Sequence, residues 1–399
     1  MENDFRSDSM RFSNELTLLL SIMRMDKGES MLWQDQDQAN EIDWGAFLQL
    51  ARHHRVFSLL YTNLRNTDSA WVPPYVMNAL QKDYQENTFN MLRLSAEMEQ
   101  LCKLFSESDI RTIVLKGPVL AADLYGDVSL RTSRDLDILI PIQNVDQAEE
   151  RLRSQGYVKE EEYNTILNDW KWRHHHATFI HADKRVTLEI HWRLGPGPGK
   201  EPGFDELWER KRISTITNHP VYYLGREDLF LFLASHGARH GWSRLRWLAD
   251  IDRITRQNVD YAKLHSLLMK NRQLHLGAQA MILAAQLLHT PLTAEMESMT
   301  TGKRARRLAK DALFYIRQMV NLHTAPVPEH VSKYHQKHLF SLMSAQQKIL
   351  FVMSFFYPYP EDADTLSLPK GLHFLYFPLR PALWAWRKTK KYSLSQRGT

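Results

Sequence analysis

The segment Asp135–Ile140, DLDILI, constrains the fold most, because it predicts a short apolar strand that carries two carboxylates. Side chains alternate along a strand, so Asp135 and Asp137 lie on one face and the apolar residues on the other. Two carboxylates on one strand face repel each other, and a divalent cation removes that repulsion. Hard oxygen ligands at this spacing suit Mg²⁺. The alternative is a strand end in solvent, with Arg131 or Arg134 neutralising the pair.

Helical patterns surround this strand on both sides along the chain. A length of 399 residues suits two or three packed units. Apolar residues at helical spacing predict helices before residue 110 and after residue 225, whereas short β-branched runs predict strands in between. We therefore predict an α+β fold with a mixed-sheet core. Its predicted segments are an N-terminal helical region (1–109), the α/β core (110–224), a C-terminal helical region (225–356) and an aromatic and basic tail (357–399).

Within the core, the pattern of apolar and turn residues predicts individual strands and helices. Two strands at 176–181 and 186–192 are joined by polar turn residues and predict a hairpin. The remaining predicted strands are 110–115, 135–140 and 221–224, and the predicted helices are 119–125 and 143–155. Residues 42–65 and 75–108 predict the principal helices of the N-terminal region.

Composition excludes several classes of protein. The 17 Phe, 15 Tyr and 11 Trp can build a large core, which excludes disorder of the whole chain. A single cysteine, Cys102, excludes a disulfide scaffold and fits a reducing compartment. No run of 18 apolar residues predicts a transmembrane helix, and the polar, acidic N-terminus is not a secretory signal. We predict a cytoplasmic protein.

The positive charge lies at the C-terminal end of the chain. The net charge is +5, but residues 370–399 carry seven cations and no acid, which leaves −2 for the first 369 residues. A nucleic-acid-binding protein carries its cations on the folded body, so nucleic acid is not a predicted partner. Aromatic residues precede these cations, and a membrane-surface helix is one interpretation. Pro378 and Pro381 argue against one continuous helix and favour a tail packed on the protein's own body.

Lys116 and Gly117 stand between a predicted strand and a predicted helix. A glycine at such a turn lets the backbone approach a ligand closely. The following helix presents unpaired N–H groups and a partial positive charge, which suits a phosphate, and Lys116 adds a cation. An ordinary strand-to-helix turn is the alternative.

Glu189 lies in the middle of the predicted strand 186–192. By alternation, Glu189 shares one face with His191, whereas the apolar residues share the other. A carboxylate at such a position is costly unless it is paired or bound to a metal. It is therefore the natural third metal ligand, and a salt bridge to Arg193 or Lys184 is the alternative.

This ordered set resembles the nucleotidyltransferase superfamily typified by DNA polymerase beta, the tRNA-tailing enzymes and the aminoglycoside nucleotidyltransferases. The stretch LKGPVLAADLYGDVSLRTSRDLDILI, followed by LEIHWRL, is similar to one branch, the uncharacterised bacterial nucleotidyltransferase family. The helical stretches IDWGAFLQLARHHRVFSLL and LFLFLASHGARHGWSRLRWLADI resemble helices of that branch. The resemblance covers roughly residues 40–255.

The resemblance implies roles for four residues. Gly117 corresponds to the phosphate-turn glycine, Asp135 and Asp137 to the metal-binding pair, and Glu189 to the third acid. Two positions depart from the superfamily. Pro118 stands where a serine hydroxyl usually contacts a phosphate, and the third acid is more often Asp.

Arg131 and His240 are further predicted nucleotide contacts. Arg131 would bind the triphosphate as a bidentate donor. The alternative for Arg131 is an ion pair with one of three acids: Asp123, Asp127 or Asp137. In the resembling family the helix that ends near His240 faces the catalytic cleft, where His240, Arg239 or Arg244 would contact nucleotide or acceptor. An interdomain helix is the alternative.

Three other polar groups are interpreted as structural. His236 and His240 lie one helical turn apart but lack the HExxH context of a zinc pair. The run 174–176, HHH, predicts a partly exposed strand start, because consecutive strand side chains diverge. Asp250 and Asp252 are predicted to be solvated or to cap a helix.

These features together predict an Mg²⁺-dependent nucleotidyltransferase. It would transfer a nucleoside monophosphate from an NTP to a hydroxyl of a small-molecule or protein acceptor and release pyrophosphate. The predicted catalytic and metal-binding residues are Asp135, Asp137 and Glu189, and the predicted nucleotide-binding residues are Lys116, Gly117, Arg131 and His240. The alternative is a catalytically weak or inactive nucleotide-binding regulatory module, favoured by Pro118. A membrane-surface role in envelope polysaccharide synthesis rests on the tail alone.

Overall fold

The structure is a computed structural model that describes residues 12–25, 41–67, 69–161, 166–322, 324 and 326–395. Part of the predicted N-terminal helical region (26–40) and the last tail cation, Arg397, lie outside the described residues. The core strands and the helices on both sides of them lie within the described part of the chain.

Within the described part of the N-terminal region there are four helices: α1 (Asn14–Arg24), α2 (Trp44–His53), α3 (Phe57–Arg65) and α4 (Pro74–Ser106). Asp43 caps α2 by accepting a hydrogen bond from the Ala46 N–H (3.0 Å). The predicted helix 42–65 is broken between α2 and α3, where Arg55 adopts a left-handed φ of 55°. The second predicted helix is confirmed as α4, with Pro74 at its first position.

A seven-stranded mixed sheet forms the core, with strand order β3-β4-β5-β2-β1-β7-β6. The strands are β1 (Ile113–Val114), β2 (Asp135–Leu139), β3 (Val158–Lys159), β4 (His176–His181), β5 (Val186–His191), β6 (Arg212–Ser214) and β7 (Val221–Tyr223). The predicted hairpin is confirmed as the antiparallel pair β4–β5. Strand β2 lies between β5, which is parallel to it, and β1, which is antiparallel.

Four helices accompany the sheet: α5 (Pro118–Tyr125), α6 (Val145–Ser154), α7 (Trp170–Arg173) and α8 (Phe204–Glu209). One apolar core lies between the sheet, α6 and the C-terminal half of α4, with Leu136, Ile138 and Leu188 at its centre. The long helix α4 also reaches a second core through Val76 and Leu80, so it connects the α/β part of the chain to the helical part.

The C-terminal helices pack on the N-terminal ones in that second core. They are α9 (Arg226–Arg239), α10 (Leu245–Thr255), α11 (Tyr261–Lys270), α12 (Leu274–Leu288), α13 (Ala294–Thr300), α14 (Lys303–Arg317), α15 (Glu329–Leu342), α16 (Ala345–Ser354), α17 (Pro360–Thr365) and α18 (Tyr376–Ser395). Leu19, Leu60, Leu248 and Leu283 are all buried in this shared core. Among the helices of the described residues, none has the length and apolar character needed to cross a membrane.

The tail differs from the prediction in one respect. Helix α18 continues through Pro381, so the expectation that prolines prevent one continuous helix is wrong. Pro378 lies in the first turn, where N–H groups have no intrahelical acceptor, and Pro381 removes a single bond. The start of the tail packs on α7, where Tyr357 contacts Trp172 and the carbonyl of Pro358 accepts a hydrogen bond from Arg173. Within the tail, Tyr376 is fully buried and Arg380 pairs with Asp362 at 2.6 Å.

A buried ion pair joins the sheet region to the C-terminal helices. The Arg131 Nε and Nη2 atoms donate to the two carboxylate oxygens of Asp250 at 2.8 and 2.9 Å. Tyr125 Oη also donates to Asp250, at 2.9 Å. Asp250 is fully buried, so the expectation that it is solvated or a cap is wrong. Asp252 is buried as well and binds Thr290.

Removing the acid of this pair should destabilise the protein strongly. The variant Asp250→Ala leaves a buried, unpaired guanidinium on Arg131, which costs about 3–5 kcal/mol in the free energy of unfolding. The control Asp83→Ala breaks the more exposed pair with Arg52 and should cost under about 1 kcal/mol. Urea denaturation of both variants gives the comparison, and equal losses would contradict the structural role given to Asp250.

Candidate active site

The parallel pairing of β2 and β5 places two acids side by side. In the register of these strands Asp137 is the partner of Glu189. Asp137 is fully buried, whereas Glu189 is partly exposed. The Nε2 atom of His191 lies between them, 3.2 Å from Asp137 Oδ1 and 3.1 Å from Glu189 Oε2. One imidazole therefore connects the two carboxylates.

Lys116 brings a cation to the same carboxylate. It lies two residues after the end of β1, and its Nζ is 2.9 Å from Asp137 Oδ1. Burial favours the neutral amine and lowers the pKa of Lys116, but the carboxylates of Asp137, Asp135 and Glu189 outweigh burial, so the net pKa is raised. The ammonium group is thus charged at neutral pH, beside the acidic strand.

Glu189 is ionised for a related reason. Burial alone would raise its pKa, but the hydrogen bond from His191 and the charges of His191 and Lys116 lower the pKa of Glu189 to about 2. Burial lowers the pKa of His191, and its hydrogen bonds to Asp137 and Glu189 raise it further than burial lowers it. Glu189 is therefore ionised, and its negative charge is stabilised by His191 and Lys116.

One carboxylate oxygen of this site has no hydrogen-bond partner among the described residues. Asp137 Oδ2 is buried and has no hydrogen-bond partner there, although its sister oxygen binds Lys116 and His191. A buried acceptor without a partner costs free energy that a ligand can recover. Ligand atoms of Asp137, Glu189 and His191 lie within 4.8 Å of one another. The two carboxylates fit Mg²⁺, while the imidazole is a ligand of transition metals.

Asp135 lies at the start of β2, beside this group but outside it. It is not one of the described ligand atoms that lie within 4.8 Å of one another around Asp137. Its Oδ1 accepts a hydrogen bond from Ser133 Oγ at 3.4 Å. Its charge acts on Lys116, Arg131 and Arg55, so it faces the cationic loops that precede β2.

Gly117 forms the turn that leads from Lys116 into α5. Its φ of 86° and ψ of −144° are accessible to glycine and costly for other residues. A Cβ at this position would lie 3.4 Å from Leu136 Cδ2, so the turn also packs closely against β2. Pro118 occupies the first position of α5, as predicted.

The other two predicted nucleotide contacts, Arg131 and His240, have interactions with other parts of the protein. The guanidinium of Arg131 is bound to Asp250, an acid that the sequence analysis did not consider as its partner, so the geometry does not favour a phosphate contact. His240 caps the C-terminus of α9, and its ring lies 5.3 Å from that of Trp247. Arg239 lies at the same end of the helix. Burial lowers the pKa of Arg239 to about 10, and the charges of Glu189 and Asp137 act in the opposite direction.

Two histidines next to the site were not predicted to have a role. The expectation for the run 174–176 was a partly exposed strand start, and all three residues are partly buried. His176 Nδ1 lies 3.1 Å from His175 Nε2, and both rings approach His191. His175 precedes the first residue of β4, so strand alternation does not separate the two side chains. In the hairpin register His176 is the partner of His191, and this pairing could have predicted that the histidines lie close together.

Replacing the glycine of the turn should strain the site. Gly117→Ala is expected to lower the free energy of unfolding by about 1–3 kcal/mol, because the positive φ is unfavourable for alanine. Gly371→Ala is the control, since a Cβ there would contact nothing within 4 Å and no positive φ is involved. Thermal denaturation of both variants measures the difference. A Gly117→Ala protein as stable as the control would contradict the argument.

Comparisons with known proteins identify the family of the chain. No curated protein matches the chain. A family model described as an uncharacterised nucleotidyltransferase matches residues 40–289. The matched segment includes the Lys116-Gly117 turn, the strand with Asp135 and Asp137, and Glu189. The chain therefore belongs to this family of uncharacterised nucleotidyltransferases.

Proposed function

We propose that the protein transfers a nucleoside monophosphate from an NTP to a hydroxyl of a small-molecule or protein acceptor, with release of pyrophosphate and dependence on Mg²⁺. The observation that carries the proposal is the pair of carboxylates on adjacent parallel strands, one of which has a buried, unpartnered oxygen. Family membership supports nucleotidyl transfer in general. The buried, unpaired Cys102 is consistent with work in the cytoplasm.

In this proposal the acids of β2 and β5 hold the metal. Asp137 and Glu189 are its ligands, and Asp135 completes the set from the start of β2. When bound, Mg²⁺ supplies positive charge to the phosphates of the nucleotide. Glu189, or Asp137 through the metal, would help to deprotonate the acceptor hydroxyl. Lys116 keeps the Asp137 carboxylate in place through the 2.9 Å contact.

The turn before α5 seats the phosphates. Gly117 allows the close approach of the backbone, and the first N–H groups of α5 face outward from the helix N-terminus. Pro118 contributes neither a hydroxyl nor an N–H, so the contacts come from later residues of the turn. Arg131, before β2, contributes indirectly, because its ion pair holds Asp250 in place. His240 contributes indirectly by capping the C-terminal end of α9.

The regulatory alternative makes a different prediction from the enzyme. A module that binds nucleotide without turnover would retain Mg²⁺-dependent NTP affinity and release no pyrophosphate. Pro118 is the residue that favours this alternative, because it removes the hydroxyl that usually contacts a phosphate in the resembling superfamily. Parallel measurement of binding and release separates the two.

Loss of either carboxylate should abolish transfer. With α-labelled NTPs, Mg²⁺ and a cell extract as the source of acceptors, Asp137→Asn and Glu189→Gln should each lower the transfer of label to acceptor by about 100-fold or more. Asp183→Asn is the matched control, because this exposed acid lies in the turn of the same hairpin. Full activity in both site variants would overturn the proposal.

A second candidate function is contact with an anionic membrane surface. Many apolar side chains of the C-terminal helices are exposed: Ile349, Val352, Met353, Phe355, Phe356, Phe374, Phe377, Trp384 and Trp386. Aromatic residues beside cations favour the membrane interface, and Lys388 stacks on Trp384 with its Nζ 4.3 Å from the ring. We propose that α18 makes this contact. The link to envelope polysaccharide synthesis stays a prediction.

Vesicle binding tests the membrane proposal. Trp384→Ser together with Trp386→Ser should reduce co-sedimentation with vesicles that contain phosphatidylglycerol by about tenfold, since both indoles leave the interface. Phe89→Ser is the control, because this α4 side chain is 75% exposed but far along the chain from the tail. Equal co-sedimentation of the double variant and the control would reject the contact.

A further inference from the structure

Three loops meet beside Asp135 and are hydrogen-bonded to one another. They are the turn between α2 and α3, the loop before β2, and the first residues of α10. The backbone N–H of Arg246 donates to the carbonyl of His54 at 3.2 Å. The side chain of Arg246 donates to the carbonyl and the hydroxyl of Thr132. The loops therefore form one surface, although they are distant in sequence.

Each loop contributes at least one arginine to what we call the arginine cluster: Arg55, Arg134, Arg244 and Arg246. The side chains of Arg55 and Arg134 have no hydrogen-bond or ion-pair partner within the described part of the chain. Arg244 and Arg246 bind the loops through some nitrogens, but their Nε atoms are buried and unpartnered there. No described carboxylate forms an ion pair with any of the four.

Other arginines of the core are paired differently. Three of them bind one carboxylate through two hydrogen bonds each: Arg131 with Asp250, Arg210 with Asp228, and Arg212 with Asp123. In these three pairs the guanidinium charge is neutralised by a carboxylate. The arginine cluster has donors in excess of the acceptors that the described residues supply, and this is the pattern of a site that awaits an anion.

The charges around the arginine cluster also favour an anion-binding site. Burial, followed by the charges of Arg131 and Arg55, lowers the pKa of Arg246 to about 9. Burial, followed by the charges of Arg134 and Arg244, lowers the pKa of Arg55 to about 10. The acids that act on these groups are Asp135 and Asp250, and Asp250 is already bound to Arg131. The mutual repulsion is therefore incompletely neutralised.

We propose that the arginine cluster binds a phosphorylated group of a substrate, next to Asp135. Guanidinium groups match phosphate oxygens with paired donors, and several of them neutralise more than one negative charge. That the phosphorylated group belongs to a substrate of nucleotidyl transfer rests on the proposed function. The phosphate belongs either to the NTP or to a phosphorylated acceptor, and both sources share this chemistry.

Tripolyphosphate is the probe that tests the cluster itself. It is titrated calorimetrically into the full-length protein without Mg²⁺ or nucleotide. Arg55→Ala and Arg134→Ala should each weaken its affinity by about tenfold or more, because each removes a charge-assisted donor. Neither side chain has a partner in the described fold, so both variants are expected to fold, and circular dichroism verifies this. Arg52→Ala is the control, since it removes one cation from nearby α2 but its partner is Asp83.

The same variants then identify the source of the phosphate. If Mg²⁺-NTP affinity falls together with tripolyphosphate affinity, the cluster holds the phosphates of the nucleotide. If tripolyphosphate affinity falls while Mg²⁺-NTP affinity is unchanged, the cluster serves a phosphorylated acceptor. Tripolyphosphate affinity that is absent in the wild type, or unchanged in both variants, overturns the proposal.

Failure of the proposed function is distinguishable from failure of this inference. Tripolyphosphate binding needs neither metal nor turnover, and Asp137→Asn removes a negative charge from the region, so this variant should not weaken the affinity for tripolyphosphate. A protein that binds tripolyphosphate through the cluster but transfers no nucleotide would retain the anion site and lose the proposed enzyme activity. Strong loss of tripolyphosphate binding in Asp137→Asn would count against a site separate from the carboxylates.

Discussion

The buried carboxylate of Asp137 is the constraint around which the core is arranged. An ionised group without solvent must be compensated by charge or by hydrogen bonds. The protein supplies Lys116 from the end of β1 and His191 from β5, so both neighbours of β2 contribute to the same oxygen. The sheet order places these side chains together, because β2 lies between β1 and β5. One oxygen of Asp137 still has no partner among the described residues, and we interpret it as the place of a ligand.

Charge compensation also explains how the helical regions meet the sheet. The ion pair between Arg131 and Asp250 fixes the loop before β2 against α10. The contact between the loop before β2 and α10 also brings the arginines of the cluster together beside Asp135. The carboxylates of Asp137 and Glu189 lie on the paired strands β2 and β5, and the arginine cluster lies where the loop before β2 meets the helical regions. In our proposals the metal binds at the carboxylates and the phosphates of the substrate bind at the arginines.

Much of the local structure could be predicted from the sequence. Strand alternation in DLDILI and in the strand of Glu189 predicted which residues share a face, and both strands are present as β2 and β5. The family resemblance is confirmed by the family match. The predicted strand 110–115 is paired only at Ile113–Val114, because a buried apolar run does not fix how many of its residues find partners.

Contacts between distant segments could not be predicted in this way. Arg131 and Asp250 are 119 residues apart, and no local pattern selects one acid among several as the partner of an arginine. The proximity of His175 and His176 to His191 depends on the register of a hairpin and on where β4 begins. The four arginines of the cluster come from three loops whose association requires the whole fold. The residue roles and the domain boundaries proposed from the sequence stay predictions.

The most direct test of the account is the position of the metal. Crystals grown with Mn²⁺ and a non-hydrolysable NTP analogue would locate the ion by its anomalous scattering. The account predicts an anomalous peak within about 2.5 Å of carboxylate oxygens of Asp137 and Glu189, with the nucleotide phosphates beside it. A nucleotide bound elsewhere, with no peak at these carboxylates and Lys116 still in contact with Asp137, would contradict it.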